Sequence, residues 1–210
     1  MKKQNDIRVD LDKMHPWLVY KLKLLLKHCN ENGIYLIITE GFRTKEYQDS
    51  LYAKGRTKPG KVVTNAKGST YSSQHMWGIA FDIAINDSKL LYDNATIKRV
   101  AKIAKSKKVW LSWGGDWKSI VDTPHFYLGK WGSTTAKLKE KYTTPDNFKK
   151  TWTSVTKKPC KLWSKKTLRA SKAILSIKKG SKVEVLYKSK LGYAKVKYKG
   201  KYGFVFKSVL

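Results

Sequence analysis

Residues 73–85 read SQHMWGIAFDIAI, and this run decides the fold of the larger part of the chain. From Ile79 onward it alternates around one carboxylate, Asp82, which predicts a central strand over 79–85. Just before it, Gly78 lets the chain turn, so His75 on a loop and Asp82 on the strand, seven residues apart, can converge on one point. Upstream, 34–39 (IYLIIT) predicts a buried strand and 41–44 (GFRT) leaves it, followed by a helix over 45–54 that breaks at Gly55. A helix over 10–32 comes first, with Leu18, Leu22, Leu25 and Leu26 at helical spacing and Asn32-Gly33 as its stop. Residues 56–73 are rich in Gly, Lys, Thr and Ser and predict a long loop, of a length that usually serves function or motion. Downstream follow a helix over 94–107, with Val100, Ile103 and Ala104 on one face, and two short strands over 109–113 and 124–128.

Composition changes near Pro145. Residues 146–158 (DNFKKTWTSVTKK) are polar and basic, which suits a linker over 146–157 between domains at 1–145 and 158–210. Beyond it the periodicity becomes two: Val183, Val185 and Tyr187 share one face, Ala194, Val196 and Tyr198 another, and Lys195, Lys197 and Lys199 point the opposite way. Gly180, Gly192 and Gly200 supply turns, so the tail is expected to be a small antiparallel barrel.

The charge is extreme. Against 15 Asp and Glu stand 45 Lys and Arg, a formal +30, and residues 151–210 hold 17 basic residues with Glu184 as their one acid. Such a field draws in polyanions of any kind, whether nucleic acid, anionic lipid or charged wall polymer, so the choice among them falls to the site chemistry. No stretch approaches the roughly 20 apolar residues of a membrane span. The opening MKKQNDIRVDLDKMHPW has a basic pair without an apolar core behind it, so no secretory signal is expected, and synthesis in the cytoplasm with a separate route out is. Cys29 and Cys160 form no metal-spaced pair and read as reduced small hydrophobes.

Chemistry concentrates on two of the four histidines. His15 before Pro16 and His28 near a helix end have ordinary structural readings. His75 and Asp82 flank the turn described above, and His125 opens a predicted strand within Asp122-Thr123-Pro124-His125-Phe126. Two imidazoles and one carboxylate form a common catalytic zinc triad, with a fourth position open to water. Asp122, three residues before His125, is placed to take and return a proton. The same residues would also serve as a hydrogen-bonded His–Asp pair with no metal, and spacing alone does not decide between the two.

The motifs Ser73-x-His75-x-x-Gly78-x-Ala80-x-Asp82, Glu40-Gly41-Phe42-Arg43-Thr44, Trp113-Gly114-Gly115-Asp116-Trp117 and Asp122-x-Pro124-His125-Phe126 occur in the order found in the LAS metallopeptidases. The chain resembles that family over roughly residues 8–140, and more narrowly its L-alanyl-D-glutamate endopeptidase and VanY-like carboxypeptidase branch. The resemblance implies an α+β catalytic domain, an antiparallel sheet carrying one zinc with helices around it. It implies His75, Asp82 and His125 as the metal ligands, Asp122 as general base, and Arg43 as the cation that steadies the polarised carbonyl oxygen. Ser73 is a further candidate for hydrogen bonding in the site, and Asp116 reads as a supporting residue. Trp77, Trp113 and Trp117 either pack the core or line the cleft. The base is Asp here, where related peptidases also use Glu.

The tail is similar to bacterial SH3-like domains through 175–186 (LSIKKGSKVEVL), 192–196 (GYAKV) and 200–205 (GKYGFV). That implies a module that holds the enzyme on peptidoglycan and its anionic polymers and raises the local substrate concentration. The expected function is therefore a peptidoglycan hydrolase of the modular phage endolysin kind, acting at the bacterial cell wall and cutting the L-alanyl-D-glutamate bond. A zinc D-alanyl-D-alanine carboxypeptidase is the nearest alternative. A basic nucleic-acid-binding protein is the alternative from another class, without a recognition-helix or RNA-binding signature to support it.

Overall fold

The computed structural model describes residues 4–166 and 171–210; the basic pair Lys2-Lys3, and residues 167–170 of the tail domain, lie outside them. The chain divides into two compact units, Met1–Asn147 and Phe148–Leu210.

In the first unit, helix α1 (Pro16–Asn30) starts where its sequence allows: Pro16 occupies the first turn, and His15 caps it by accepting the Trp17 N–H on Nδ1. Leu18, Leu22 and Leu25 fall on one face and are fully buried, each contributing about 1.5–3 kcal/mol by leaving water. Residues 11–13, expected to lie within this helix, form a separate 3₁₀ turn, because the helix begins only behind the cap at His15. Helix α2 (Lys45–Ala53) is capped by the Thr44 hydroxyl, and α3 (Asn94–Lys105) by the Asp93 carboxylate.

The sheet runs in the order β1 (Asp6–Ile7), β2 (Leu36–Glu40), β3 (Ala80–Ile85), β5 (His125–Tyr127), β4 (Ser112–Trp113). All neighbours pair antiparallel except β1 and β2, which pair parallel. β3 is central. Its apolar residues are buried without alternation, so Asp82, half-buried, is the one charged side chain on the strand. The loop at 56–73 contains one short 3₁₀ turn, Gly68–Thr70. Two helices not anticipated from the sequence follow, α4 (Ala136–Tyr142) and α5 (Pro145–Lys149).

The second unit is a six-stranded sheet in the order β6 (Thr153–Val155), β9 (Lys182–Lys188), β10 (Tyr193–Tyr198), β11 (Lys201–Phe206), β7 (Cys160–Trp163), β8 (Ala173–Ile177). Every pairing is antiparallel. Leu162, Ile177, Val183, Val185, Ala194, Val196 and Val205 form its core. Alternation holds in β10, but in β9 a register shift opposite Lys195 and Val196 buries Leu186 and turns Tyr187, expected beside Val183 and Val185, onto the face of Lys195. Among the described residues the strands form an open order from β6 to β8 rather than a demonstrated closed barrel. The stretch read as a linker is folded: Phe148, Trp152 and Thr156 are buried, and β6 pairs with β9. Three well-spaced anchors suffice to fix a segment whose average composition is polar.

Candidate metal centre

His75 and Asp82 reach the same point by different routes. Residues Gln74–Trp77 form one 3₁₀ turn, ended by Gly78 at φ +63°, a left-handed conformation that glycine adopts without strain. The chain then enters β3, where Asp82 lies directly opposite His125 of β5, so the two side chains leave the sheet on the same face. Both histidines are buried, at 4% exposure each.

Three atoms converge. His75 Nε2 lies 3.2 Å from His125 Nδ1 and 3.3 Å from Asp82 Oδ1, and His125 Nδ1 lies 3.0 Å from the same oxygen. The outer nitrogens of both rings are committed. His75 Nδ1 is 2.7 Å from the Gly41 carbonyl, which can only accept, so this nitrogen carries the proton. His125 Nε2 is 2.8 Å from Gln74 Oε1, and the Gln74 amide nitrogen donates to the Gly132 and Ser133 carbonyls, which fixes which end of the amide faces the ring. With those protons on the outer nitrogens, the neutral form of each imidazole turns a bare lone pair toward the other ring and toward a carboxylate oxygen. Such a set repels itself unless a cation stands between them. A tetrahedral zinc with bonds of 2.0–2.1 Å needs ligand–ligand separations of about 3.3 Å, close to the triangle here. The donor set fits zinc.

The ionisation of these groups follows from their surroundings. For Asp82 burial pushes upward, yet the His75 and His125 rings overcome it and hold the carboxyl far below its usual range. Burial lowers the His125 pKa, offset in part by Asp82, so the ring is neutral and ready to ligate. Asp122 is half-buried, and burial together with the Asp82 charge raises its pKa, against the pull of His125, His75 and Arg43.

The remaining candidates gather here as well. Arg43, Ser73, Asp122 and Trp117 line the same cleft as His75, Asp82 and His125, with a volume of about 1080 Å³. Arg43 places Nη2 3.4 Å from Asp82 Oδ2 and Nε 3.3 Å from Glu40, and its backbone N–H donates to the His75 carbonyl. Its guanidinium thus lies on the Asp82 oxygen that faces away from the histidines. Asp116 also borders the cleft, with both its oxygens 2.9 Å from Lys105 Nζ. Trp77 and Trp113 are core residues, whereas Trp117 packs its ring 5.0 Å from His125 and donates to the Tyr127 hydroxyl. His15 and His28 belong to α1 and its cap, away from the triad.

Two supports of the site escaped the sequence reading, the Gly41 carbonyl and Gln74. A backbone carbonyl has no sequence signature, and Gln74 beside a ligand His looks like any polar loop residue. Gly114 was quoted only as part of a motif, but its role is steric: a Cβ there would meet the Asp122 carbonyl at 2.6 Å and His125 Cβ at 3.0 Å. The turn that carries Asp122 and His125 packs directly on this glycine.

The sequence profile of a family described as D-alanyl-D-alanine carboxypeptidase matches residues 66–128, the span holding His75, Asp82, Asp122 and His125. The peptidoglycan L-alanyl-D-glutamate endopeptidase CwlK of Bacillus subtilis (strain 168) is 36% identical over 124 residues, 55% of this chain and 73% of that protein. The L-alanyl-D-glutamate peptidase of Listeria phage A118 is 32% identical over 113 residues, 53% of this chain, and the match spans 36% of the phage protein's length. The crystal structure of the Serratia marcescens L-Ala D-Glu endopeptidase ChiX aligns with a TM-score of 0.41 at 24% identity, over 56% of this chain and 82% of that one. The match to most of the length of the Bacillus protein, with the profile falling on the metal-site segment, places this chain in the M15 peptidase family.

Proposed function

We propose that the chain is a zinc-dependent peptidoglycan endopeptidase that cleaves the L-alanyl-D-glutamate bond of the stem peptide. One observation carries the chemistry: two lone pairs and a carboxylate oxygen meet within 3.0–3.3 Å, with both outer imidazole nitrogens already committed as donors. The bond follows from the two curated relatives, both named for L-alanyl-D-glutamate cleavage.

In this reading His75, Asp82 and His125 hold one zinc. When bound, the metal supplies Lewis-acid activation of water near neutral pH. The Gly41 carbonyl and Gln74 fix the two rings so that their ligating nitrogens face inward. Asp122 takes the proton of the attacking water and delivers it to the leaving amine; its raised pKa suits a group that must both accept and return a proton. Arg43, positioned by Glu40 and Asp82, offers positive charge to the carbonyl oxygen as it becomes an oxyanion. The second unit acts as an SH3-like wall anchor. Its support is the lysine-rich sheet and a row of cross-strand neighbours on one face, Tyr187, Lys195, Phe204 and Trp163, a surface suited to anionic wall polymers.

The family profile keeps a D-alanyl-D-alanine carboxypeptidase as a second reading. Mass spectrometry of purified muropeptides after digestion separates the two. Endopeptidase action releases a fragment with a new N-terminal D-glutamate, and carboxypeptidase action releases only terminal D-alanine. The His125→Ala protein and chelated wild type serve as controls, with zinc add-back restoring the latter. Intact muropeptides after digestion by zinc-loaded wild type would refute both readings.

A further inference from the structure

Trp110 lies in the turn between α3 and β4, outside the metal cleft, and two features there work against stability. Its backbone is left-handed, φ +64°, a conformation that glycine takes freely and a bulky side chain does not. Its side chain is 75% exposed, the largest apolar side-chain type held mostly in water. The turn itself is well fixed: Val109 and Trp110 both donate to the Ser106 carbonyl, and Leu111 donates to that of Ala104. These backbone hydrogen bonds set the conformation of the turn without the indole. Strained, exposed residues of this sort are kept where they meet a ligand.

The surroundings define the ligand. Lys107 and Lys108 are exposed within the same turn, and Lys21 of α1 sets its ammonium 5.9 Å from the Trp110 ring centroid and 6.0 Å from that of Trp17. The acid near Lys108 is Glu31, which is engaged with His28 and Lys27. An indole face, rich in π-electrons, accepts the C–H face of a sugar ring, while the adjacent lysines accept its acidic substituents.

The geometry points to a second binding site, formed by Trp110, Lys107 and Lys108, for the anionic glycan strand of the wall. Its choice of polymer rests on the peptidoglycan reading above: a stretch of strand without stem peptides, where the sugar carboxyls are free and charged, is held here while the cleft works on a neighbouring stem.

Full-length wild type, Trp110→Gly, Trp110→Phe and a Lys107→Ser/Lys108→Ser double variant test it. Three readouts are taken: thermal melting, binding to purified glycan strands stripped of peptide, and kcat/KM on a soluble sugar-free stem peptide. Glycine suits the backbone, so Trp110→Gly should melt no lower than wild type. It should bind strands about tenfold more weakly, the scale of one lost stacking contact. Its kcat/KM on the soluble peptide should stay within about twofold, and Trp110→Phe should recover most of the binding. The lysine double variant should weaken strand binding most at low salt. Unchanged strand binding by Trp110→Gly overturns the site. So does a parallel loss of melting temperature and peptide cleavage, which makes the indole structural. Trp110-dependent binding to phosphatidylglycerol vesicles or to a single-stranded oligonucleotide, with none to strands, overturns the glycan assignment. A wild type that binds strands through Trp110 yet cuts no peptide refutes the peptidase reading and leaves the site standing.

Discussion

Single residues set the electrostatics of this protein, and two of them lie outside the triangle of His75, Asp82 and His125. Gln74 holds the outer nitrogen of His125 at 2.8 Å, so its loss frees the ring to rotate or to change tautomer. Gln74→Ala should weaken zinc affinity by about 10–100-fold with little change in folding, read by competition with a chromogenic chelator. An unchanged affinity would show that ring packing alone positions His125. His15 offers a different test. Burial, with Lys130 adding to it, lowers its pKa to about 3, and its Nδ1 must stay unprotonated to cap α1. Between pH 6.5 and 3 the unfolded chain binds this proton and the folded chain refuses it, so stability falls as pH drops below 6.5. Wild type should lose about 2–3 kcal/mol more than His15→Asn between pH 7.5 and 4.5, measured by urea unfolding. Equal pH slopes would mean that His15 is protonated in the fold.

At the scale of elements, the site depends on how turns meet strands. β3 and β5 bring Asp82 opposite His125, and the 122–125 turn lies against Gly114 with no space for a side chain. Gly114→Ala should push that turn outward, lowering activity at least tenfold and stability by about 1–3 kcal/mol, although residue 114 touches neither metal nor substrate. Muropeptide cleavage and thermal melting of the zinc-loaded variant check this, and near wild-type values in both would show that the turn can yield. The strands at 34–39 and 79–85 were legible because short apolar runs rich in isoleucine have few alternatives, and the one at 124–128 because Phe126 and Tyr127 follow a proline that starts the strand. β1 was not, because two residues carry no periodicity and the parallel pairing of Asp6 and Ile7 with Ile37 and Ile38 exists only once β2 is in place. The first strand of the second unit was concealed for a related reason: β6 lies in a polar stretch, and what fixes it is the burial of Phe148, Trp152 and Thr156 around it.

For the whole molecule, the formal charge of +30 sets the long-range behaviour, with 17 basic residues in 151–210. Binding of the full chain to purified wall should weaken steeply between about 50 and 300 mM salt, where the screening length falls below 10 Å. Cleavage of a soluble stem peptide should change far less, because its chemistry is short-range. Sedimentation of the protein with insoluble wall, set beside the peptide assay across the same salt series, tests this; equal salt dependence would remove charge as the basis of wall affinity. By itself the sequence determined which residue types were available and in what order: a histidine before a glycine turn, a carboxylate in an apolar strand, a second histidine at a strand start, and a lysine-rich alternating tail. Those are local patterns, fixed by propensity and periodicity. Only the tertiary structure decided that His75 Nε2 and His125 Nδ1 face inward, because that depends on the Gly41 carbonyl and on the Gln74 amide, hydrogen-bonded across 34 and 51 residues of chain. Sequence places donors and acceptors along the chain, but a lone pair acquires a direction only when its partner on a distant segment is held in place.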